Sequence, residues 1–329
     1  MKSRVLLCVA LLLVLAVVGC SPRAEADMDG ETRQVTIAMG FVPNVQFAPM
    51  YVAIERGYFA EEGIEVVLDY GLETDLLQRV GTNDLQFAIA NGDQVILARA
   101  NDLPVTYVLN WYRHFPVCVV SLAESGITTP EDLIGKTVGI PATEGASYIG
   151  WLAFLDAAGI APDEVNLQVI GYTQVASLVE GRVDAAICYA QNEPVQLRES
   201  GYELNLLDMD DYTQLVSAGI VTNEATIAED PALVQGITRA FVRGLEDAIA
   251  DPDAAFDIAR RAIPEMDDAT ATLQRAVLQE SIAIWRSEQL GHNSPAAWAE
   301  SVDLMHRLGL LTSAIDPEVL YTNRFVAAR

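Results

Sequence analysis

Residues 35–71 read VTIAMGFVPNVQFAPMYVAIERGYFAEEGIEVVLDYG, and this stretch holds the pattern on which the rest of the chain is built. Alternate residues from Val35 to Met39 are apolar, which predicts a strand. Asn44 is a good N-cap for the apolar helix that follows, and a second alternating run closes the stretch. Open α/β sheets bind ligands beyond the carboxyl ends of their strands, so we predict a ligand-binding turn at residues 41–46.

The alternation of strand and helix recurs along the chain. Further strands are predicted near residues 85–90, 105–109, 117–121, 137–140, 166–170, 185–189, 204–209 and 219–222, and the chain from Pro231 onward is predicted to be helical. The fold class is therefore α/β. We predict one lobe at residues 35–116 plus 214–329 and a second lobe at 117–213, with a ligand cleft between them. The two chain crossings between the lobes would form a hinge.

The N-terminus resembles an export signal. A positively charged start precedes an apolar run over residues 5–18, which is followed by Gly19 and Cys20. The letters AVVGC resemble a bacterial lipobox, in which the cysteine is lipidated and becomes the new N-terminus, although Val17 stands where leucine is usual. We predict a signal peptide at 1–19 and a tether at 20–34, with an acyl chain such as palmitate on the cysteine. This places the protein at the cell membrane on the extracytoplasmic side; the alternative is an ordinary signal with an incidental cysteine.

Composition excludes several classes of protein. The 329 residues carry 46 acidic and 20 basic side chains, a net charge of −26, which argues against a nucleic-acid partner. Cys118 and Cys188 stand in apolar runs, so buried free thiols and a disulfide both remain open. His114, His292 and His306 are scattered without metal-ligand spacing, and we predict no metal site and no cofactor.

Four segments together resemble the solute-binding proteins of ABC importers. They read FVPNVQFAPMYVAIERGYFAEEGIEV at 41–66, DLQFAIANGDQVILARA at 84–100, EDLIGKTVGIP at 131–141 and VEGRVDAAICYAQNEP at 179–194. Within these proteins they look most like the binders of thiamine pyrimidines and riboflavin, with nitrate and alkylsulfonate binders as more distant relatives. The resemblance implies a type II periplasmic-binding-protein fold, a monomer that closes on one small molecule, and delivery to an ABC permease driven by its ATPase.

Candidate ligand-binding residues stand after the predicted strands. The first lobe offers Asn44, Gln46, Thr74, Asn91 and Asp93, and the second offers Thr143, Glu144, Ser147, Tyr172, Tyr189, Asn192 and Glu193. In the pyrimidine binders that the chain resembles, a tyrosine and a nearby glutamate in the region of YAQNEP hold the ligand, and Tyr189 and Glu193 match that pattern. For each polar residue, the alternative is a role in a cap or a turn.

Trp111 in the predicted hinge bears on the ligand class. An aromatic face stacks well on a flat heterocycle, which contributes about 0.5–1.5 kcal/mol beyond area burial. We predict that Trp111 stacks on the ligand. The alternative is that the indole packs in the core between the lobes.

The charges of the predicted cleft narrow the ligand. Sulfonate or nitrate would need cationic donors, whereas the candidates include carboxylates such as Asp93 and Glu193. We therefore favour riboflavin, with a formylated aminopyrimidine as the alternative and an alkylsulfonate or nitrate less favoured. Enzymes of this fold that make the thiamine pyrimidine use a histidine and a cysteine-rich motif that this chain lacks, so we expect a binding protein and no catalysis.

Overall fold

The structure is a computed structural model, and it describes residues 32–71 and 73–326, with only the backbone at 73–75. The predicted signal peptide at 1–19 and Cys20 lie outside the described residues, as does most of the tether predicted at 20–34. Within the described ranges, no helix is long and apolar enough to cross a membrane.

Among the residues that the structure describes, ten strands form the framework of the fold. They are β1 Arg33–Ala38, β2 Ile64–Asp69, β3 Phe87–Asn91, β4 Val105–Asn110, β5 Val117–Leu122, β6 Thr137–Ile140, β7 Asn166–Val169, β8 Ala185–Tyr189, β9 Leu204–Asp208 and β10 Ala218–Asn223. Strand β1 begins two residues inside the segment predicted as a tether, because Arg33 and Gln34 pair in register with Ile64 and Glu65 of β2.

Twelve α-helices in the described part of the chain cover these strands. They are α1 Ala48–Glu55, α2 Tyr58–Glu61, α3 Glu73–Gly81, α4 Gly92–Ala100, α5 Gly145–Ala158, α6 Gln174–Val179, α7 Glu193–Glu199, α8 Glu224–Glu229, α9 Pro231–Ala250, α10 Pro252–Ala262, α11 Asp268–Trp285 and α12 Pro295–Arg307. A 3-10 helix at Val45–Phe47 precedes α1, and the Asn44 side chain caps it by accepting from the Gln46 backbone N–H at 3.0 Å. Asn44 therefore acts as a cap, but on the 3-10 helix that leads into α1, and the N-cap position of α1 itself is Phe47.

The strands form two five-stranded sheets of matching topology. The first sheet has the order β2-β1-β3-β10-β4 and the second β7-β6-β8-β5-β9. In each sheet one strand, β10 or β5, runs antiparallel to both of its neighbours. Strand β5 of the second sheet follows β4 of the first, and β10 of the first sheet follows β9 of the second. The chain therefore crosses between the lobes twice. The predicted α/β fold with two lobes and two crossings is confirmed.

The two crossing segments are bonded to each other. The backbone N–H groups of Trp111 and Tyr112 both donate to the Ala218 carbonyl, at 3.1 Å and 3.0 Å. Asp210 on the return crossing accepts from the Phe115 N–H at 2.9 Å and contacts the His114 ring at 2.7 Å. These contacts join the two passages of the chain into one hinge.

Both faces of each sheet carry buried apolar clusters, as expected for a sheet covered by helices on both sides. Helix α12 touches both lobes, since Trp298 packs in a first-lobe cluster while Leu304 packs in a second-lobe cluster. Cys118 and Cys188 face each other across β5 and β8, and both are buried free thiols. Of the two alternatives left open for these cysteines, the structure therefore has the free thiols.

Candidate functional site

The carboxyl ends of several strands meet where the two lobes face each other. The turn after β1 and the start of α4 after β3 come from the first lobe, and the starts of α5 and α7 come from the second. Helix α4 contacts α5, and helix α11 contacts α7. We call this junction the seam. The lobes are in contact along it.

Gln46 joins the two lobes at the seam. Its side chain is 7% exposed, and its Nε2 donates to Asn192 Oδ1 at 3.0 Å and to Asn44 Oδ1 at 3.2 Å. Its Oε1 accepts from Gln191 Nε2 at 2.8 Å and from Tyr112 Oη at 3.3 Å. A single amide therefore contacts the first lobe, the second lobe and the hinge.

An aromatic cluster lies behind this amide network. Trp111 is 1% exposed, and its ring centroid lies 6.0 Å from that of Phe47, 5.1 Å from that of Tyr112 and 5.2 Å from that of Phe241. Stacking on a ligand would need an uncovered ring face, and this packing covers the indole. The structure thus favours the core-packing alternative for Trp111 over the predicted stacking. Burial also raises the pKa of the Tyr112 hydroxyl, so that this group stays protonated as a donor.

Asn91 and Asp93 lie at the start of α4. Asn91 ends β3 and accepts from Ser217 Oγ at 3.4 Å. Asp93 is 4% exposed, and burial raises the pKa of its carboxyl to about 6. Gln94 Nε2 donates to Asp93 Oδ2 at 2.9 Å, while Asp93 Oδ1 has no hydrogen-bond partner among the described residues. This carboxylate can therefore accept a further hydrogen bond.

Tyr189, Asn192 and Glu193 form the second-lobe side of the seam at the end of β8. The Tyr189 backbone N–H donates to Glu193 Oε2 at 3.1 Å. Burial raises the pKa of the Glu193 carboxyl, although hydrogen bonds from backbone N–H groups oppose the shift. The bond from Gln46 places Asn192 beside Asn44 and Gln46, and Tyr189 and Glu193 are bonded to each other on either side of Asn192 in the chain.

The other second-lobe candidates lie nearer the surface. Thr143 and Glu144 are exposed at the start of α5, Ser147 is half-buried one turn further on, and Tyr172 is 77% exposed after β7. A cavity of about 580 Å³ opens between α6 and α7, and its lining includes Tyr172 and Glu193. The described contacts do not join Thr143 or Glu144 to Gln46.

Two further points concern the candidate residue Thr74 and metal binding. The side chain of Thr74 lies outside the described residues. Among the residues that the structure describes, no group of three or more histidine, cysteine, aspartate or glutamate side chains could hold a metal ion.

Two residues of the seam network are absent from the candidates that the sequence supplied. Gln191 stands between Tyr189 and Asn192, so the rule of polar residues after a strand could have found it. Tyr112 follows Trp111 in the hinge, and its hydroxyl reaches Gln46 only because the hinge folds back towards the turn after β1.

Comparison with known proteins agrees with this architecture. The periplasmic aliphatic sulphonate binding protein SsuA from Escherichia coli superposes with a TM-score of 0.73 at 15% identity, over 89% of this chain and 99% of that chain. The alkanesulfonate-binding protein SsuA from Xanthomonas axonopodis pv. citri, bound to MOPS, gives a TM-score of 0.69 at 14% identity, over 88% and 98%. The fold is that of the periplasmic binding proteins.

The chain belongs to the NMT1/THI5 like family, whose model matches residues 44–255. It is 41% identical to the riboflavin-binding protein RibY of Chloroflexus aurantiacus, over 99% of this chain and 98% of that protein. It is 31% identical to the formylaminopyrimidine-binding protein of Halalkalibacterium halodurans, over 87% of this chain and 86% of that protein. The predicted kinship with riboflavin and thiamine-pyrimidine binders is therefore confirmed.

Proposed function

We propose that this protein captures riboflavin outside the cytoplasm and delivers it to an ABC import permease that is driven by its ATPase. The observation that carries the proposal is the 41% identity to a riboflavin-binding protein, because it extends over 99% of the chain and so includes both lobes and the hinge. A relative that matched one lobe alone would say little about a ligand held between two.

The chemistry of the seam supports a flat ligand without a strong negative charge. The side chains that meet there offer amides and a tyrosine hydroxyl, from Gln46, Gln191, Asn192 and Tyr112, and the carboxylates of Asp93 and Glu193 lie on the helices that start at the seam. Riboflavin combines a flat ring system with a polar ring edge and several hydroxyl groups, which suit these donors and acceptors. A sulfonate would be repelled by the buried carboxylates.

Closure of the lobes provides the mechanism of capture. A ligand that binds the closed form more tightly than the open form shifts the population towards closure. Gln46 contacts both lobes and the hinge, so its hydrogen bond to the second lobe can be made only while the two sides of the seam are in contact. The permease would then receive the closed, loaded form. We further propose that the protein acts as a monomer and is held at the membrane by a lipid on Cys20.

A thiamine pyrimidine is the second candidate ligand. Tyr189 and Glu193 match the tyrosine and glutamate expected of pyrimidine binders, and the formylaminopyrimidine-binding relative is 31% identical over 87% of the chain. Catalysis is less well supported. A 4-amino-5-hydroxymethyl-2-methylpyrimidine phosphate synthase of Legionella pneumophila is 25% identical over 89% of the chain, a more distant relationship than that to either binding protein.

Titration of the purified protein tests the ligand. We expect riboflavin to bind saturably at one site, with quenching of flavin and tryptophan fluorescence, and formylaminopyrimidine to bind at least tenfold more weakly. Incubation with each compound, followed by chromatography, should show no product. Saturable binding of formylaminopyrimidine without a response to riboflavin would reverse the order of the two ligands, and steady product formation would replace the binding function by an enzymatic one.

A further inference from the structure

An unpartnered carbonyl oxygen lies in the amide network of the seam. Gln191 is 0% exposed, and its Oε1 has no hydrogen-bond partner among the described residues. Its Nε2 donates to Gln46 Oε1 at 2.8 Å. A buried acceptor without a hydrogen bond lowers the stability of the folded protein. We therefore expect a donor for this oxygen from outside the described part of the chain.

The orientation of the amides follows from a backbone group. The Gln46 backbone N–H can only donate, and it lies 3.0 Å from one side-chain atom of Asn44, so that atom is the oxygen. A side-chain atom of Gln46 lies 3.2 Å from the same oxygen and must donate to it. This atom is therefore the Gln46 nitrogen, and the other end of the amide is the oxygen.

The same reasoning carries across the seam to the second lobe. Gln46 Oε1 accepts from Tyr112 Oη at 3.3 Å, and the Gln191 atom 2.8 Å away must also donate to it. That atom is the Gln191 nitrogen. A flipped Gln191 would set two carbonyl oxygens against each other, so the unpartnered atom is the oxygen.

We propose that Gln191 Oε1 accepts a hydrogen bond from an N–H or O–H group of the bound ligand, and that Gln46 is the residue that positions it. The inference rests on the proposed function, and it adds a binding residue that was not among the sequence candidates. Riboflavin carries an imide N–H on its ring edge and hydroxyl groups on its ribityl chain, and either can be the donor. The seam is the place where a ligand enclosed by both lobes would meet this oxygen.

The variant Gln191→Met tests this role, because methionine keeps the length of the side chain and removes the amide. We expect its Kd for riboflavin to rise about tenfold or more, the effect of losing one buried hydrogen bond. The matched control is Gln235→Met on α9, where Gln235 Nε2 donates to the Phe325 carbonyl at 2.9 Å, away from the seam. The control variant should bind riboflavin as the wild type does.

Two analogues separate recognition of the ligand from closure of the lobes. 3-Methylriboflavin lacks the imide N–H, and lumiflavin lacks the ribityl hydroxyls. For the analogue without the required donor, the wild type and Gln191→Met should have equal affinities, while the variant should be weaker for riboflavin and for the other analogue. Melting temperatures of the ligand-free proteins establish that each variant is folded.

Three results would overturn the inference. An unchanged Kd of Gln191→Met for riboflavin would mean that the oxygen is satisfied by a buried water. Equal losses for all three flavins would mean that the amide only holds the lobes together. Absence of riboflavin binding by the wild type would remove the proposed function and this inference with it, and the wild-type titration alone distinguishes that case from the other two.

Discussion

At the scale of single residues, Asp93 shows a conflict between stability and the proposed binding role. Its carboxyl is 4% exposed, and Oδ1 has no hydrogen-bond partner among the described residues. Burial raises the pKa from the ordinary 3.8 to about 6. Because the folded state favours the protonated form, this contribution to stability is fully present below pH 3.8 and is lost as the pH rises through about 6.

Replacing Asp93 therefore has an unusual expected effect. We predict that Asp93→Asn raises the free energy of unfolding of the ligand-free protein at pH 7.5, by about 1–3 kcal/mol, because each pKa unit corresponds to about 1.4 kcal/mol. Near pH 4.5 the gain should largely vanish, since the wild-type carboxyl is then protonated in the folded state. Urea denaturation at the two pH values measures both quantities.

Asp132 provides a control of opposite sign. Its carboxylate accepts from the backbone N–H groups of Thr128 and Thr129, which lowers its pKa. Its contribution to stability is present above the ordinary pKa and is lost as the pH falls, so Asp132→Asn should lower stability at pH 7.5. If Asp93→Asn also destabilises the protein at pH 7.5, the buried carboxylate is not a source of instability.

At the scale of helices and strands, the close packing of α9 on α1 depends on a glycine. A Cβ atom at Gly244 would lie 2.3 Å from the Pro49 carbonyl oxygen and 2.7 Å from Ala53 Cβ. These atoms belong to the backbone of α1 or to its first side-chain atom, so they cannot move unless the helix moves. Gly236 lies on the same helix, but there a Cβ atom would meet Ile64 Cδ1 at 3.1 Å and Glu62 Cβ at 3.2 Å.

Comparison of the variants Gly244→Ala and Gly236→Ala tests the close approach of α9 to α1 at Gly244. Both substitutions gain about 1 kcal/mol of helix propensity, but only Gly244→Ala forces α9 away from α1. We expect Gly244→Ala to lower the free energy of unfolding by about 1–3 kcal/mol and Gly236→Ala to be within about 1 kcal/mol of the wild type. Thermal unfolding compares the two, and equal effects would show that the helices do not depend on close approach at this position.

The pairing of β5 with β8 buries two cysteines. Cys118 and Cys188 are opposite each other in register, and burial raises the pKa of both thiols well above the ordinary value. A buried thiol with a raised pKa is a poor nucleophile, so these cysteines serve as small apolar residues in the sheet.

At the scale of the whole molecule, the two lobes and the hinge form one body whose two walls meet at Gln46. Helix α12 reinforces this by packing against clusters in both lobes. The first described strand starts at Arg33 on the sheet of the first lobe, so the segment before it would connect that lobe to the proposed lipid anchor.

The anchor is tested with the full-length chain. Because Cys20 is the proposed site of lipid attachment, we expect Cys20→Ser to abolish labelling by radioactive palmitate and to shift the protein from the membrane fraction to the soluble fraction. Cys188→Ser is the matched control and should keep both the label and the membrane location. Retention of Cys20→Ser at the membrane, together with continued labelling, would contradict the lipidation proposal.

The sequence by itself determined the α/β class, the two lobes and the cap at Asn44. It also determined that the candidate ligand-binding residues follow the strands, because all of these features depend on short local patterns. The tertiary structure alone decided which of those residues meet. Gln46 contacts Gln191 and Asn192 only when sheet order and the hinge bring the lobes together. The burial of Trp111 likewise depends on distant Phe241, a contact that the local pattern of the hinge does not encode.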